Sequence, residues 1–196
     1  MKTFGYIKSK LDGTEYEFKP KQSIQIPEKF SYQNILKPII NQGNQNICVS
    51  CSIDCFLNFQ ENIINQTPKF DNKIHINYVD MTSNGIQIKQ ALSQLYHQNI
   101  ISGYYKVGNF EIAKIALMVN GPLIIGLPVY NSSITKFWLP NYNREIEGYH
   151  AVAIVGFNTQ GMIIRNSWGT SYGQKGYAII DYSEVSNVIE LWSMAK

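Results

Sequence analysis

Residues 41–59, NQGNQNICVSCSIDCFLNF, are the stretch from which the fold of this chain can be worked out. A polar loop leads to Cys48, after which apolar residues recur at helical spacing and predict a helix from residue 49 to about residue 64. A cysteine at the first turn of a helix lies where backbone N–H groups converge, so its thiolate is favoured. Gln42, six positions upstream, brings a side-chain amide into the same loop. The stretch therefore predicts half of an acyl-transfer site, with the other half elsewhere in the chain.

The composition is that of a globular chain. It has 196 residues, of which 44% are hydrophobic and 16% charged, so we expect one domain with room for two lobes. The net charge is only +3 and the basic residues are scattered, which gives no indication of a nucleic-acid partner. No segment reaches the roughly 18 consecutive apolar residues of a membrane helix. The first residues lack the apolar core of a signal peptide. We expect a monomer with neither a nucleic-acid nor a membrane partner.

Three cysteines, Cys48, Cys51 and Cys55, lie within one predicted helix. Neighbours on one helix are poorly placed for a disulfide, so we expect free thiols and an intracellular reducing compartment or a virus particle. Cys48 to Cys51 is formally a C-x-x-C motif, which suggests redox or zinc chemistry. The preceding Gln-Gly loop disfavours the first, and the lack of a second ligand pair with matching spacing disfavours the second. We therefore expect no metal and no cofactor, with Cys51 and Cys55 in the core.

The rest of the chain changes from helical to strand-rich. Two further helices are predicted at 86–97 and 110–119, followed by strands at 123–130, 149–157, 162–165, 176–182 and 188–192. This order predicts an α+β fold with a helical N-terminal lobe and an antiparallel, strand-rich C-terminal lobe. Residues 1–26 form an extension, either short strands in a hairpin or a segment that covers a cleft, and residues 27–196 form the main domain.

His150 and Asn166 are candidates for the missing half of the site. His150 begins a predicted strand after a long loop, residues 131–148, whose aromatic residues either gate a cleft or pack beneath an ordinary surface loop. Asn166 follows the next strand, and a hairpin would bring its side-chain oxygen to the imidazole and fix the tautomer. Trp168 would shield that bond from water. Each residue alone also has a structural explanation, and His75 and His97 are expected to have no catalytic role.

Several blocks of sequence together resemble the papain family of cysteine peptidases. The resemblance extends from about Pro27 to Tyr182. The residues that carry it are Gln42-Gly43 with Cys48, then Tyr149-His150-Ala151-Val152, then Asn166-Ser167-Trp168-Gly169 with Tyr172-Gly173 and Gly176-Tyr177.

The resemblance implies a papain-like fold with the active site in a cleft between two lobes. It implies that Cys48 attacks a peptide carbonyl to form a thioester, and that His150 is the acid and base. Asn166 would orient His150, and Gln42 would contribute to the oxyanion hole. The protein would then be a cysteine peptidase acting on extended polypeptides, with endopeptidase action as the default.

The resemblance also implies a set of substrate-binding residues. Ser83, Asn84 and Gly85 match the loop whose backbone pairs with an extended substrate. The other expected substrate-binding residues are Ile86, Gln87, Gly126, Gly148, Tyr149, Ala151 and Trp168. Two glycines in this set would leave room for a bulky apolar side chain two residues before the cut.

The chain departs from the family pattern next to the nucleophile. Asn46-Ile47 stands where the family has a pair of small residues, and Val49 stands where it usually has tryptophan. Two alternatives therefore stay open beside the peptidase. One is a catalytically inactive papain-like protein that acts as a binding module, and the other is an acyl transferase with the same Cys/His chemistry.

Overall fold

The computed structural model describes residues 4–21, 23–65, 84–140 and 144–196. The α-helices within these residues are α1 (Cys48–Asn65), α2 (Ile88–His97) and α3 (Phe110–Asn120). The strands are β1 (Tyr6–Ile7), β2 (Phe30–Ser31), β3 (Ile86–Gln87), β4 (Gly103–Lys106), β5 (Leu123–Val129), β6 (Gly148–Phe157), β7 (Gly161–Arg165), β8 (Tyr177–Asp181) and β9 (Glu190–Ala195). Two 3₁₀-helices cover Gln33–Ile35 and Tyr182–Asn187. None of the described helices is long and apolar enough to cross a membrane.

Helix α1 is the centre of the helical lobe. Its first intrahelical bond runs from the Cys51 N–H to the Ile47 carbonyl at 2.9 Å, so Cys48 stands in the first turn. Residues 48–59 are all buried, as expected for a helix enclosed on every side. Ile53 and Phe56 of the apolar repeat are fully buried, whereas Ile64 is 67% exposed because the helix leaves the core in its last turn.

A sheet forms the second lobe. Within the described residues it has seven strands, in the order β4-β9-β5-β6-β7-β8, with β2 beside β6, and all pairings are antiparallel. Strand β5 is buried along its whole length. The predicted hairpin of β6 and β7 is confirmed by the pairing of Ala153 with Arg165. Helix α3 begins as predicted, with Asn109 accepting a bond from the Ile112 N–H at 2.9 Å.

The N-terminal extension departs from the predicted hairpin. Strand β1 pairs with β3, in parallel, so that Tyr6 lies opposite Ile86. The segment around Tyr16 instead bonds to β4, where the Lys106 N–H donates to the Tyr16 carbonyl at 2.8 Å. Helix α2 begins two residues later than predicted, at Ile88, because Ile86 and Gln87 extend to pair with β1.

Candidate active site

Strand β6 lies directly against the first turn of α1. The Ala151 N–H donates to the Cys48 sulfur at 3.4 Å, so the residue after His150 touches the candidate nucleophile. His150 pairs with Leu127 in the sheet, which fixes its position on the strand. Cys48 and His150 are both fully buried. The structure therefore brings together two residues that are about 100 positions apart.

Asn166 bonds to His150 as the sequence predicts. The Asn166 Oδ1 lies 2.7 Å from the His150 Nε2. The same oxygen accepts the Ser167 N–H at 2.7 Å, and the Asn166 N–H donates to the Gly176 carbonyl at 2.9 Å. Because Oδ1 is an acceptor, Nε2 must carry the proton of the imidazole, which leaves Nδ1 as the nitrogen that exchanges protons.

Aromatic rings enclose this hydrogen bond. Trp168 is stacked on His150 with ring centroids 4.5 Å apart, and Phe137 meets His150 edge-on at 5.5 Å. Such a shield keeps water from competing for the bond between His150 and Asn166. Phe137 and Trp138 are fully buried, so this part of the 131–148 loop packs its aromatic residues beneath it. The sequence indicated aromatic residues in this loop, but no signal in it assigned Phe137 to the imidazole.

The Gln42 side chain is held in a single orientation by Ser167. The Ser167 hydroxyl donates to the Gln42 Oε1 at 2.5 Å, and the Gln42 N–H donates to the Ser167 carbonyl at 2.8 Å. The amide nitrogen of Gln42, which carries two hydrogens, therefore points to the opposite side and donates to the Gln45 carbonyl at 2.8 Å. In this orientation the N–H donors of the Gln42 amide point away from Ser167.

The N-terminal extension crosses the site. We refer to residues 4–7 as the cleft segment. Its Gly5 carbonyl accepts the Ile86 N–H at 3.0 Å. A Cβ atom added to Gly5 would lie 1.9 Å from the Asn46 carbonyl oxygen, and one added to Gly85 would lie 2.0 Å from the Gly5 oxygen. Gly5 is thus wedged against the backbones of Asn46 and Gly85, where only glycine fits.

Two side chains of the cleft segment fill the space that glycines leave in the opposite wall. A Cβ on Gly126 would lie 2.6 Å from the Tyr6 ring, and a Cβ on Gly148 would lie 2.6 Å from the Phe4 ring. Phe4 also lies 6.3 Å from both the His150 and Trp168 rings, measured between ring centroids. The two glycines therefore face two different side chains of the cleft segment.

The pKa of the Cys48 thiol is determined mainly by its burial. Burial raises the pKa of the Cys48 thiol to about 11, although the backbone N–H groups of Ala151 and Gly5 act in the opposite direction. The first-turn position was expected to favour the thiolate. In the covered site, desolvation outweighs the hydrogen bonds and helix dipole, so the thiol is protonated at neutral pH.

The other candidate residues are distributed around the cleft segment. Ile86 and Ala151 belong to the same buried apolar cluster as Tyr6 and Cys48. The Tyr149 ring centroid is 6.3 Å from that of Tyr6. Asn84 is exposed, Gly85 has a positive φ of 100°, and Gln87 accepts the Lys10 N–H at 3.2 Å; Ser83 and His75 lie outside the described residues.

The remaining cysteines belong to the core. Cys51 and Cys55 are buried and free, and burial raises the pKa of both thiols, that of Cys55 to about 11. The described part of the chain contains no cluster of three or more His, Cys, Asp or Glu side chains that could hold a metal ion.

Sequence reasoning missed three residues that complete this site, Phe4, Tyr6 and Glu190. The Tyr6 hydroxyl donates to the Glu190 carboxylate at 2.5 Å. One signal pointed to Glu190: it is the only charged residue in the predicted strand 188–192. No comparable signal marked Phe4 or Tyr6, since aromatic residues in short strands are ordinary.

Comparison with known proteins identifies the same architecture. Residues 30–194 match the family described as papain family cysteine protease. An 87-residue alignment that covers 39% of this chain shows 37% identity to an uncharacterised peptidase C1-like protein of Acanthamoeba polyphaga mimivirus. An 83-residue alignment that covers 38% of this chain shows 35% identity to cathepsin K of Mus musculus. These matches span only 28% and 25% of the two relatives' own lengths.

Solved structures share the fold over nearly the whole chain. Xylellain, a cysteine protease from Xylella fastidiosa, matches 100% of this chain and 96% of its own, with a TM-score of 0.80 and 21% identity. Procathepsin B S9 from Trypanosoma congolense matches 98% of this chain and 86% of its own, with a TM-score of 0.77 and 14% identity. At these identities the likeness establishes a papain-like α+β fold with two lobes.

Proposed function

Because the chain belongs to the papain family of cysteine proteases, we propose that it hydrolyses peptide bonds through a thioester on Cys48. One observation carries the proposal: β6 brings Ala151 to the Cys48 sulfur while holding His150 against Asn166. A nucleophile, a base and a group that orients the base are the three parts that acyl transfer requires.

Each residue has a role that follows from its contacts. Once the cleft is open, the Nδ1 of His150 takes the Cys48 thiol proton and the thiolate attacks the peptide carbonyl carbon; the Nδ1 of the resulting imidazolium then gives that proton to the leaving amine. The same nitrogen then takes a proton from the water that hydrolyses the thioester. Asn166 holds the ring through Nε2, and the aromatic enclosure preserves that bond. The Gln42 amide and the Cys48 backbone N–H stabilise the oxyanion.

We also propose that residues 1–26 are an extension that keeps this site covered. The cleft segment occupies the groove over Cys48, but it is not held as a substrate would be. The Gly5 N–H donates a hydrogen bond to the Cys48 sulfur, and the Gly5 carbonyl accepts one from the Ile86 N–H. No Gly5 carbonyl carbon is therefore presented for attack, so the segment blocks the cleft without being cleaved there.

The substrate is proposed to be an extended polypeptide. The Ile86 N–H that now bonds to Gly5 is a strand-edge donor that a substrate backbone would use once the cleft segment moves away. The protein is proposed to act as a monomer without nucleic-acid or membrane partners. Three free thiols and a viral relative support a reducing compartment or a virus particle as the site of action.

Hydrolysis of a mixed peptide library by the full-length chain tests the function. We expect cleavage by the wild type and none by Cys48→Ala, with a peptidyl epoxide modifying Cys48 faster than Cys51 or Cys55. Weak cleavage that increases when the cleft segment is displaced still supports the proposal. If no peptide is cleaved and Cys48 is not modified faster than the other two even after displacement, the inactive binding module is the better explanation.

Product analysis separates hydrolysis from acyl transfer. With a peptide and an added primary amine, a peptidase releases mainly free carboxylate products, whereas a transferase yields mainly the amide of the added amine. Predominance of that amide would overturn the hydrolase proposal in favour of the related acyl transferase.

A further inference from the structure

The first turn of α1 carries a second thiol that the proposed mechanism does not use. Cys48 is the first residue of the helix and Cys51 lies three residues later. Both thiols are free and buried. Residues three apart on a helix lie on the same face, with their Cβ atoms about 5–6 Å apart. Cys48 and Cys51 are therefore neighbours on one face of α1.

Cys51, and not Cys55, is the thiol next to Cys48. Burial is the main cause that raises the pKa of the Cys51 thiol, and the charge of Cys48 is the next largest. Burial also raises the pKa of Cys55, but the charges that act on Cys55 belong to Arg165, Asp54 and Lys37. Seven residues separate Cys55 from Cys48, a rise of about 10 Å along the helix. Cys48 therefore has a single cysteine near enough to pair with it.

The start of a helix allows a pairing that its interior forbids. A disulfide needs Cβ atoms about 3.5–4.5 Å apart, which is closer than a regular helix places them. The first intrahelical bond of α1 runs from the Cys51 N–H to the Ile47 carbonyl, so the N–H groups of residues 48–50 have no helical acceptor to hold them. A cavity of about 10 Å³, lined in part by Cys51 and Ser167, leaves space for side chains to shift. The backbone at Cys48 can therefore move the short distance that a disulfide requires.

The surroundings of Cys48 also favour its oxidation once the cleft is open. Departure of the cleft segment exposes the sulfur to small solutes and removes part of the desolvation that raises its pKa. The N-terminal end of a helix and the C-x-x-C spacing both stabilise a thiolate. An accessible thiolate with a second cysteine beside it is the arrangement found in redox sensors. A transient disulfide of this kind is compatible with a reducing compartment.

We propose that Cys51 is a resolving cysteine, which closes a reversible disulfide with Cys48 when hydrogen peroxide enters the open cleft. The Cys48 thiolate attacks one peroxide oxygen, the O–O bond breaks, hydroxide leaves and Cys48 becomes a sulfenic acid. The Cys51 sulfur then attacks the Cys48 sulfur, so that the S–S bond forms and the S–O bond breaks. The departing hydroxide takes the Cys51 proton and becomes water. Two thiols are oxidised and one peroxide is reduced to two water molecules.

The disulfide would switch the site off without destroying it. It removes the thiolate of Cys48, and it also prevents the further oxidation to a sulfinic acid, which thiols do not reverse. A dithiol reductant restores both cysteines by thiol–disulfide exchange. This inference goes beyond the proposed peptidase function, because the pairing needs only the two thiols and an open cleft.

Peroxide treatment of the reduced, full-length chain tests the inference, with the products located by mass spectrometry of its peptides. In the wild type we expect a Cys48–Cys51 disulfide, recognised by the loss of two hydrogens, and recovery of Cys48 alkylation after dithiothreitol. In Cys51→Ala, prolonged treatment should convert Cys48 to the sulfinic acid, so the thiol that dithiothreitol restores should fall by about tenfold. Cys55→Ala is the matched control, since Cys55 is a buried cysteine of the same helix, and it should behave as the wild type.

The wild-type products decide alone if Cys51→Ala fails to fold. Cys48 found as a sulfinic acid, or paired with Cys55, overturns the inference. It is also overturned if Cys48 stays unoxidised both in the wild type and in Gly5→Ala, where an added methyl group would displace the cleft segment. These outcomes leave the peptidase proposal intact, because they are measured by mass and not by activity. A chain that forms the disulfide but cleaves no peptide would overturn only the peptidase proposal.

Discussion

The proposed catalytic side chains and the cleft segment meet at the Cys48 sulfur, but they are built in opposite ways. Cys48 and His150 are held by long regular elements, α1 and β6, whose neighbours fix them on every side. The cleft segment contains a strand of only two residues, Tyr6 and Ile7, which pairs with another strand of two residues. The first region is pre-organised by the core, whereas the second depends on a short backbone pairing and a few contacts of its own side chains.

This difference teaches how the same cleft can be both assembled and covered. The hydrogen bond from His150 to Asn166 lies beneath Trp168, and both of its partners belong to strands or turns of the main sheet. The contacts that hold the extension are separate: Gly5 with Ile86, and Tyr6 with Glu190. Local opening of such a small unit costs far less than global unfolding. Substitutions should therefore affect catalysis or cover independently.

Removal of the nucleophile should have the largest effect. We expect Cys48→Ala to lower kcat/KM for peptide hydrolysis by at least about 10⁴-fold, because no other group can form the thioester. The matched control is Cys51→Ala, one helical turn later and also buried, which should retain activity. Both proteins should show cooperative thermal unfolding. Comparable loss of activity in the two variants would mean that the fold, and not the thiol of Cys48, had been removed.

The oxyanion donor should come next. We expect Gln42→Ala to lower kcat by about 10²–10³-fold with little change in KM, because the bond to the oxyanion exists only in the transition state. Gln45→Ala in the same loop is the control, since its exposed side chain is not part of the proposed oxyanion hole. Steady-state kinetics with one peptide provide the measurement. A rise in KM at constant kcat would instead assign Gln42 to substrate binding.

The helix and hairpin that hold the proposed catalytic residues were also the elements that sequence reasoning described well. Helix α1 has an apolar repeat over several turns, and the β6–β7 hairpin has a short turn between two apolar runs, so local patterns determine both. Once the hairpin is known, the contact between His150 and Asn166 follows from strand pairing. At the departure Asn46-Ile47, Gly5 lies against the Asn46 carbonyl, a contact that no local sequence pattern predicts.

The position of the cleft segment could not be predicted from the sequence, and the reason is physical. Residues 4–18 contain a turn signal between two short apolar segments, and local rules predict a hairpin. The backbone of Gly5 instead bonds to Ile86, about 80 residues away, and that contact takes Ile86 and Gln87 out of the predicted helix. Pairing over such distances depends on the shape of the cleft, which no local pattern encodes.

Displacement of the cover should raise activity. In Gly5→Ala the added methyl group would lie 1.9 Å from the Asn46 carbonyl oxygen, so the cleft segment cannot stay in place. We expect kcat/KM and the rate of Cys48 alkylation in the full-length chain to rise by about tenfold or more. Gly108→Ala, where a Cβ has no neighbour within 4 Å, should change neither. Unchanged rates in a folded Gly5→Ala protein would contradict the proposed cover.

A milder change should loosen the same cover. Tyr6→Phe keeps the ring beside Gly126 and removes the hydroxyl that donates to Glu190. We expect the alkylation rate of Cys48 to rise a few-fold to about tenfold, the range for a hydrogen bond to a charged group. The control is Tyr16→Phe, a change at a ring that is 79% exposed on the same extension. An equal increase in both variants would show that the Glu190 bond does not hold the segment.

The smallest expected effect is a pH dependence that distinguishes the two regions. Burial raises the pKa of Cys48 to about 11, above the value of about 8.5 for a free thiol, so the folded, covered state favours the protonated form. Its contribution to stability is complete below about pH 8.5 and decreases as the pH rises toward 11. At pH 9.5 the wild type should have lost about 1 kcal/mol of unfolding free energy relative to Cys48→Ala, compared with the difference at pH 7.

Urea unfolding at the two pH values measures this loss, and the Gly5→Ala background identifies its source. If the cleft segment causes the burial of Cys48, opening the cleft returns the thiol toward its ordinary pKa, and the pH-dependent loss becomes smaller. The same loss in both backgrounds would mean that α1 and β6 alone desolvate the sulfur. The extension would then cover the nucleophile sterically without also holding it in its protonated form.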